Sequence, residues 1–211
     1  MCGGCGSRLE TEVEKPLFTV GGERMIDRVR AALVGSSIER TYAVVSPNAP
    51  KTRSYLKASS VELMETPGDG YVSDLGHALE DPRIDPPVLT VAADLPLLTA
   101  TVVDELLDAY ATEGVDPITA TDEVSDGVDA EADPPSMTIC TPRSHKEELG
   151  ASIDTPHPSD DALVPAGINV VGSAAEAVTH VVTDPAIAVN VNRLEDASIA
   201  ERWLQESADN T

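Results

Sequence analysis

Cys2–Leu9 of this 211-residue chain read CGGCGSRL and place three glycines and an arginine within eight positions. Glycine lets backbone N–H groups close on a chain of phosphates because it carries no Cβ atom. The stretch lacks the GxxxxGK[ST] spacing of a P-loop. We therefore predict a different kind of phosphate-binding loop. The residues expected to contact a nucleotide there are Gly3, Gly4, Gly6, Ser7 and Arg8.

The same stretch contains Cys2-x-x-Cys5, which is half the spacing of many zinc sites and also the spacing of redox pairs. A second CxxC is missing from the sequence, and Cys140 lies far away in a strand pattern. The residues between and after the two cysteines are Gly-Gly and Gly-Ser-Arg. The sequence favours the phosphate loop, and a metal or redox site stays open as the alternative.

A glycine loop of this kind normally leaves the C-terminal end of a buried parallel strand. Here the sequence begins inside the loop. We therefore expect a truncated first strand, with a few more apolar residues upstream in the native protein. The intact mass of the natively expressed protein tests this expectation.

Downstream of the loop, apolar segments alternate with amphipathic ones, which predicts an α/β fold with a mostly parallel, mixed central sheet in one domain over residues 1–211. The predicted strands are Tyr42–Val45, Val61–Met64, Val88–Ala93, Ile118–Thr121, Met137–Cys140, Ile168–Val171 and Ala186–Val191. The predicted helical signals are Met25–Leu33, Val102–Tyr110 behind a capping box of Thr101 and Asp104, an N-cap at Ser173–Glu176, and Ile199–Leu204. The predicted solvated loops are Asp122–Pro135 and Thr155–Asp161.

The charge balance is strongly acidic, with 14 basic against 37 acidic residues and a net charge of −23 at pH 7. Binding to duplex nucleic acid needs an excess of Lys and Arg, so this class of partner is excluded. No apolar run approaches the ~18 residues of a membrane span, and no secretory signal opens the chain, so we expect a cytoplasmic protein. Excess acid with scarce lysine is typical of proteins kept soluble in concentrated salt, which predicts a halophilic source.

Several motifs occur in a fixed order: GGxGxRL at Gly3–Leu9, EKPL at Glu14–Leu17 and ADLP at Ala93–Pro96. This order resembles the nucleotidyltransferase superfamily, which includes molybdopterin guanylyltransferases and sugar-phosphate nucleotidyltransferases. Four further segments narrow the resemblance to the archaeal GTP:adenosylcobinamide-phosphate guanylyltransferases. They are SPNAPKT at Ser46–Thr52, GDGY at Gly68–Tyr71, LVPAGINVV at Leu163–Val171 and NVN at Asn190–Asn192.

The resemblance covers the chain from Cys2 to Leu204 apart from the acidic loops. It implies a three-layer Rossmann-like fold, GTP and adenosylcobinamide phosphate as substrates, Mg²⁺ as the metal, and a homodimer. The sequence departs from the family at Cys5, where the glycine loop usually carries a lysine. The departure removes one charge that would neutralise phosphate.

In the implied reaction, a phosphate oxygen of the acceptor attacks the α-phosphorus of GTP and pyrophosphate leaves. The nucleophile is already ionised, so positioning and charge neutralisation suffice. Arg8 and Lys15 are the expected cations, and Asp94, at the end of an apolar strand, is the expected metal ligand. The plainer readings are a surface salt bridge for Arg8, a solvated loop charge for Lys15 and a turn cap before Pro96 for Asp94.

The resemblance also implies a nucleotide pocket built from several loops. Its expected members are Ser46, Asn48, Lys51 and Thr52 at the guanine, Gly68 and Gly70 at the base or ribose, and Gly167 and Asn169 near the nucleotide and the corrinoid. Asn190 and Asn192 alternate in one predicted strand, so a regular strand lets only one of them face the site, and we favour Asn192. The alternatives are a molybdopterin guanylyltransferase and a nucleotide-binding regulatory protein that has lost catalysis.

Overall fold

The structure is a computed structural model that describes residues 1–2, 9, 13–59, 61–113, 133–153 and 155–209. Its strands are β1 (Thr19–Val20), β2 (Glu23–Arg24), β3 (Tyr42–Val45), β4 (Glu62–Glu65), β5 (Val88–Val91), β6 (Ser136–Pro142), β7 (Leu163–Val171) and β8 (Ala177–Val181). Its α-helices are α1 (Met25–Gly35), α2 (Pro50–Lys57), α3 (Tyr71–Leu79), α4 (Ala100–Glu113), α5 (Arg143–Leu149), α6 (Pro185–Ala188) and α7 (Leu194–Asp209). A 3₁₀ turn covers Lys15–Leu17.

The largest described sheet has the order β5-β7-β6-β8. Strand β7 is antiparallel to both β5 and β6, whereas β8 is parallel to β6. Strands β5, β6 and β8 therefore share one direction and β7 opposes them, which confirms a mixed sheet in which most strands are parallel. A second pair, β3 with β4, is parallel.

The core forms where helices cover the sheet. In β7, buried residues alternate with half-buried ones, so Val164, Ala166, Ile168 and Val170 face the core. Helix α1 buries Met25, Ile26, Val29 and Ala32, a spacing that matches one face of a helix, and packs against α4. Each fully buried aliphatic side chain of this kind contributes roughly 1.5–3 kcal/mol, so these faces fix the layers that support the loops.

Met1 and Cys2 lie between β3 and β5. The Met1 ammonium donates to the Val91 carbonyl at 2.8 Å, and Cys2 N–H donates to the Val44 carbonyl at 2.9 Å. A largely apolar cavity of about 410 Å³ separates the two strand edges beyond these contacts. These two residues thus bridge β3 and β5 through backbone hydrogen bonds.

The sequence places the β3 strand correctly at Tyr42–Val45, and its segments at Met137 and Ile168 fall within β6 and β7. The predicted strand Val88–Ala93 begins with β5 but runs two residues past its end at Val91. The predicted helices at Met25, Val102 and Ile199 lie within α1, α4 and α7. Strand β4 begins one residue later than predicted. Helices α2, α3 and α5 were missed because each is short. Ile118–Thr121 and most of Asp122–Pro135 lie outside the described residues.

The predicted strand Ala186–Val191 is wrong. The Asp184 side chain accepts a hydrogen bond from Ala186 N–H at 2.7 Å, and Pro185 occupies the first helical position, so helix α6 forms instead. The residues that follow α6 leave it in an irregular conformation, without strand structure. An apolar run of this length does not distinguish a buried strand from a buried helix.

The N-cap predicted at Ser173–Glu176 is also wrong, because the chain enters β8 there and pairs with β6. The cap of α4 is Thr99 rather than Thr101: the Thr99 hydroxyl accepts from Val102 N–H at 3.3 Å. Asp104, the predicted partner in that capping box, instead accepts from Ser37 N–H at 2.7 Å. Within the described part of the chain, no helix is long and apolar enough to cross a membrane.

Candidate active site

A cavity of about 440 Å³ opens where the Lys15–Pro16 turn, the Gly68–Tyr71 segment and residues 92–94 after β5 come together. Asn48 and Asp74 also line it, as does Cys2. Cys2 immediately precedes the glycine-rich segment, and Leu9, which follows it, is buried in the main core. The predicted loop residues Gly3, Gly4, Gly6, Ser7 and Arg8 lie outside the described residues, and so does Cys5.

Asp94, one of two aspartates that line this cavity, follows β5 by three residues. Its Oδ2 atom lies 2.5 Å from Lys15 Nζ, and both side chains are more than four-fifths buried. Lys15 Nζ also donates to the Asn192 side-chain oxygen. The Lys15 ammonium is therefore held between two oxygen donors and is not a solvated loop charge.

Asn190 approaches Asp94 from the other side. Asn190 Nδ2 lies 3.4 Å from Asp94 Oδ1, and the backbone between the two asparagines is fixed because Val191 N–H donates to the Asp94 carbonyl at 2.9 Å. The condition under which only one asparagine would face the site, a regular strand, is not met here. An irregular segment lets Asn190 and Asn192 converge on the same carboxylate–ammonium pair.

Asp196, in the first turn of α7, fixes the end of this irregular segment where it enters the helix. Its carboxylate is buried and accepts hydrogen bonds from the N–H groups of Asn192 and Arg193, each at 2.9 Å, and from Ser152 at 2.7 Å. Sequence reasoning missed this residue. An acidic residue at the third helical position, able to reach back to the chain before the helix, was the available signal.

Glu14 is a second residue that sequence reasoning missed. Its carboxylate accepts from Lys51 N–H at 2.8 Å and Thr52 N–H at 2.6 Å, at the start of α2. Burial raises the pKa of the Glu14 carboxyl, but these hydrogen bonds and the Lys51 charge outweigh it, and the net pKa lies below its ordinary value. An acid that caps a helix from another loop is favoured by the unpaired N–H groups there.

Lys51 and Thr52 are consequently not brought to the cavity. Their N–H groups bind Glu14, the Thr52 side chain is fully buried, and neither residue lines the cavity. The prediction that they border the base is not supported by this arrangement. The reason is that Pro50 starts a helix whose first turn faces Glu14.

Ser46, Asn48 and Gly68 form one connected group. Ser46 is buried and its Oγ accepts from Asn48 N–H at 3.3 Å, while Asn48 Nδ2 donates to the Gly68 carbonyl at 2.8 Å. Gly68 N–H in turn donates to the buried Asp74 carboxylate at 2.8 Å. Gly68 has φ +88°, and a Cβ atom there would lie 2.8 Å from Asn48 Nδ2, so only glycine fits this turn.

Gly167 and Asn169 project from the face of β7 opposite the core. A Cβ atom at Gly167 would lie 3.0 Å from the Ala92 Cβ atom and 3.3 Å from Asn190 Nδ2, so glycine lets β7 pass close to the site. Asn169 Nδ2 donates to the Tyr71 hydroxyl at 3.3 Å, at the rim of the cavity. Gly70 also lines the cavity and has open space where a Cβ atom would be.

The donor set fits a hard divalent cation. Asp94 and Asn192 supply carboxylate and amide oxygens, which are the ligand types that Mg²⁺ takes in proteins, and the Lys15 ammonium now occupies a position between them. Among the described residues, no group of three or more His, Cys, Asp or Glu side chains could hold a metal ion. Phosphate oxygens and water would therefore complete the coordination.

The cysteines that the structure describes have packing roles. Cys2 is buried against Ala43, Val45 and Ala93. Burial raises the pKa of the Cys140 thiol to about 11, which disfavours the thiolate that metals bind. These environments favour a packing role for both cysteines over a role as thiolate ligands of a metal.

Residues 1–158 match the family model of the MobA-like NTP transferase domain. The chain belongs to this family. Membership accounts for a site with a carboxylate, an ammonium and amide groups at the end of strand β5, since nucleotidyl transfer from a triphosphate needs charge neutralisation.

This MobA-like transferase is 31% identical to the adenosylcobinamide-phosphate guanylyltransferase of Methanocaldococcus jannaschii, and the match covers 98% of this chain and 96% of the relative. A solved CMP:2-keto-3-deoxy-manno-octonic acid synthetase in complex with CTP superposes with a TM-score of 0.60 at 12% identity, covering 94% and 95% of the two chains. A hypothetical transferase from Thermus thermophilus gives a TM-score of 0.59 at 15% identity, covering 93% and 96%. These structural likenesses confirm the predicted nucleotidyltransferase fold.

Proposed function

We propose that this transferase moves GMP from GTP to adenosylcobinamide phosphate, giving adenosylcobinamide-GDP and pyrophosphate in cobalamin biosynthesis or salvage. The observation that carries the proposal is the 31% identity, over nearly the full length of both chains, to a relative named for that activity. The Asp94 site, a carboxylate with an ammonium and amide groups, also supports the proposal. Such groups suffice because the acceptor phosphate is ionised at neutral pH and needs no side-chain base.

In the proposed step, an acceptor phosphate oxygen forms a bond to the α-phosphorus while the bond from that phosphorus to the bridging oxygen breaks. The electron pair of the broken bond leaves with pyrophosphate. Lys15, released from its contacts with Asp94 and Asn192, neutralises charge on the triphosphate. Gly3, Gly4, Gly6, Ser7 and Arg8 are proposed to hold the phosphates beside it.

Asp94 and Asn192 are the residues proposed to hold Mg²⁺. When bound, the metal supplies a divalent charge to the phosphate oxygens. Lys15 is then the group that must move, because its ammonium lies between the same two side chains. With Mg²⁺ held by Asp94 and Asn192, the Lys15 ammonium would be free to contact the triphosphate as a second cation.

The guanine and ribose are proposed to lie along Asn48, Gly68, Gly70 and Tyr71, which line the same cavity as Lys15 and Pro16. Ser46 supports Asn48 from behind. Gly167 and Asn169 are proposed to face the acceptor side, where Asn169 binds Tyr71.

Three further properties belong to the proposal. The net charge of −23 supports a halophilic protein kept soluble in concentrated salt, and a cytoplasmic location is proposed with it. A homodimer follows from the family resemblance alone, and light scattering in molar KCl tests it.

The second candidate activity is molybdopterin guanylyl transfer, which the MobA-like family match favours.

The deciding experiment supplies the purified protein with GTP, Mg²⁺ and adenosylcobinamide phosphate in molar KCl and measures both pyrophosphate and the nucleotide-linked corrinoid. ATP in place of GTP and molybdopterin in place of the corrinoid are the matched controls. Pyrophosphate release that requires both GTP and the corrinoid supports the proposal. Release with molybdopterin alone would transfer the assignment to the second candidate, and GTP binding without any release would favour a regulatory protein.

A further inference from the structure

Lys146 is a charged side chain deep in the interior, on helix α5, and the mechanism above does not use it. Only 2% of the residue is exposed. Its Nζ atom donates to the Ala188 carbonyl at 2.5 Å and to the Asn190 side-chain oxygen at 3.3 Å. Burial of an ammonium is costly even when hydrogen bonds satisfy it, so its presence behind the site calls for a specific reason.

The ammonium decides which way the Asn190 amide points. A lysine ammonium is only a donor, so it selects the oxygen of the amide and turns the amide nitrogen away. Asn190 Nδ2 accordingly faces the Ala166 carbonyl at 2.9 Å and Asp94 Oδ1 at 3.4 Å. The opposite orientation would place the amide oxygen against a carbonyl and a carboxylate, which are both acceptors.

Asp94 therefore receives hydrogen-bonding groups on both oxygens. Lys15 lies at Oδ2 and the Asn190 amide lies at Oδ1. If Lys15 leaves Asp94 to bind phosphate, the amide is the remaining described side chain that fixes the carboxylate. A carboxylate held at one oxygen keeps a defined direction for the other, which is what a metal ligand requires.

We propose that Lys146 is a positioning residue which, by holding the oxygen of the Asn190 amide, directs the amide N–H groups at Asp94 and so keeps that carboxylate oriented for the reaction. The same ammonium binds the Ala188 carbonyl and thereby anchors the irregular segment that carries Asn190 and Asn192. The rate consequence rests on the proposed function. The amide orientation does not.

The rate test is a double-mutant cycle with Lys146→Met, Asn190→Ala and the double variant. We expect each single variant to lower kcat about 10- to 100-fold with a KM for GTP within about threefold of the wild type. If Lys146 acts through Asn190, the kcat of the double variant should lie no more than about threefold below that of the less active single variant. Lys57→Met, an exposed lysine beside Glu65, is the matched control. Losses that multiply in the double variant, or a Lys146→Met kcat within about twofold of the wild type, would overturn the proposal.

A second measurement uses the unmodified protein and keeps the inference testable if Lys146→Met does not fold. In ¹⁵N-labelled wild type, nuclear Overhauser effects from the Asn190 side-chain NH₂ to Ala166 are expected. Nuclear Overhauser effects from that NH₂ to the Lys146 ε-methylene, without effects to Ala166, would show the reverse amide orientation. That result would overturn the inference. If the wild type fails to transfer GMP, the proposed function fails while this measurement still decides the orientation.

Discussion

Lys15 Nζ lies 2.5 Å from Asp94 Oδ2, although the two residues are 79 positions apart in the sequence. Sequence reasoning assigns Lys15 to the triphosphate and Asp94 to the metal. In the structure each neutralises the other, with Asn192 as a second acceptor for the ammonium. The site is thus pre-assembled as an internal ion pair, which the proposed substrate and Mg²⁺ would have to separate.

Replacement of Asp94 by Asn should lower kcat roughly 10²-fold or more, because it removes the carboxylate proposed to hold the metal. The protein should still fold, because the amide oxygen of the Asn variant can accept from the Lys15 ammonium, but loss of a charge-assisted bond that is more than four-fifths buried should cost roughly 1–3 kcal/mol. Pyrophosphate release and thermal unfolding measure the two effects. Asp108→Asn, on the exposed face of α4, is the control. Transfer at the wild-type rate in Asp94→Asn would show the metal assignment to be wrong.

Replacement of Lys15 by Met should lower kcat/KM for GTP by roughly 10²-fold, because a charge-assisted contact to phosphate is lost. Lys15→Arg should recover part of this loss, since it keeps the charge but not the geometry. Initial rates over a range of GTP concentrations make the measurement. An equal loss in Lys15→Arg and Lys15→Met would argue that length, rather than charge, is what matters.

Gly68→Ala should raise KM for GTP about tenfold, because a positive φ costs a non-glycine residue roughly 1–2 kcal/mol and the new Cβ atom displaces Asn48. Gly76→Ala is the matched control. Gly76 lies in α3 with nothing near its Cβ position, so this change should stabilise the helix by roughly 0.5–1 kcal/mol and leave KM unchanged. The KM for GTP and the melting temperature of each variant measure the two effects. Similar KM values for both variants would contradict the role given to the Gly68 turn.

Glu14→Gln should destabilise the protein by about 1 kcal/mol at neutral pH, because a charged cap on α2 is lost. The folded-state pKa of Glu14 lies below its ordinary value, so its stabilisation is fully present above the ordinary carboxyl pKa and is lost as pH falls through the lowered folded-state pKa. The gap in melting temperature between wild type and Glu14→Gln should therefore close on acidification. A gap that stays constant down to acidic pH would contradict this.

The cavity between β3 and β5 should accept an added strand. Four apolar β-branched residues placed ahead of Met1 would continue from the existing bonds to Val44 and Val91. We expect a gain of about 2 kcal/mol, or roughly 4–8 °C in melting temperature. A Gly-Ser extension of the same length is the control. An equal effect of both extensions would mean that the cavity does not receive a strand.

Much of the fold could be predicted from local patterns of apolar residues in the sequence. The strand at Tyr42–Val45 and the helices at Met25 and Val102 follow from periodicity, because one buried face repeats every two residues or every 3.6. Patterns failed at Ala186–Val191, where one capping aspartate at position 184 turns an apolar run into a helix. A six-residue segment with five apolar residues satisfies either structure, so the deciding hydrogen bond lay outside the pattern.

The sequence by itself determined the family, the order of its motifs and the choice of Lys15 and Asp94 as candidate site residues, whereas their pairing came from the structure. Tertiary structure alone decided that Asn190 reaches Asp94 while Asn192 reaches Lys15, that Glu14 caps α2, and that Lys146 stands behind Asn190. The physical reason is distance along the chain. Periodicity reports which face of an element is buried, whereas these contacts join residues from 37 to 177 positions apart and depend on how separate loops meet.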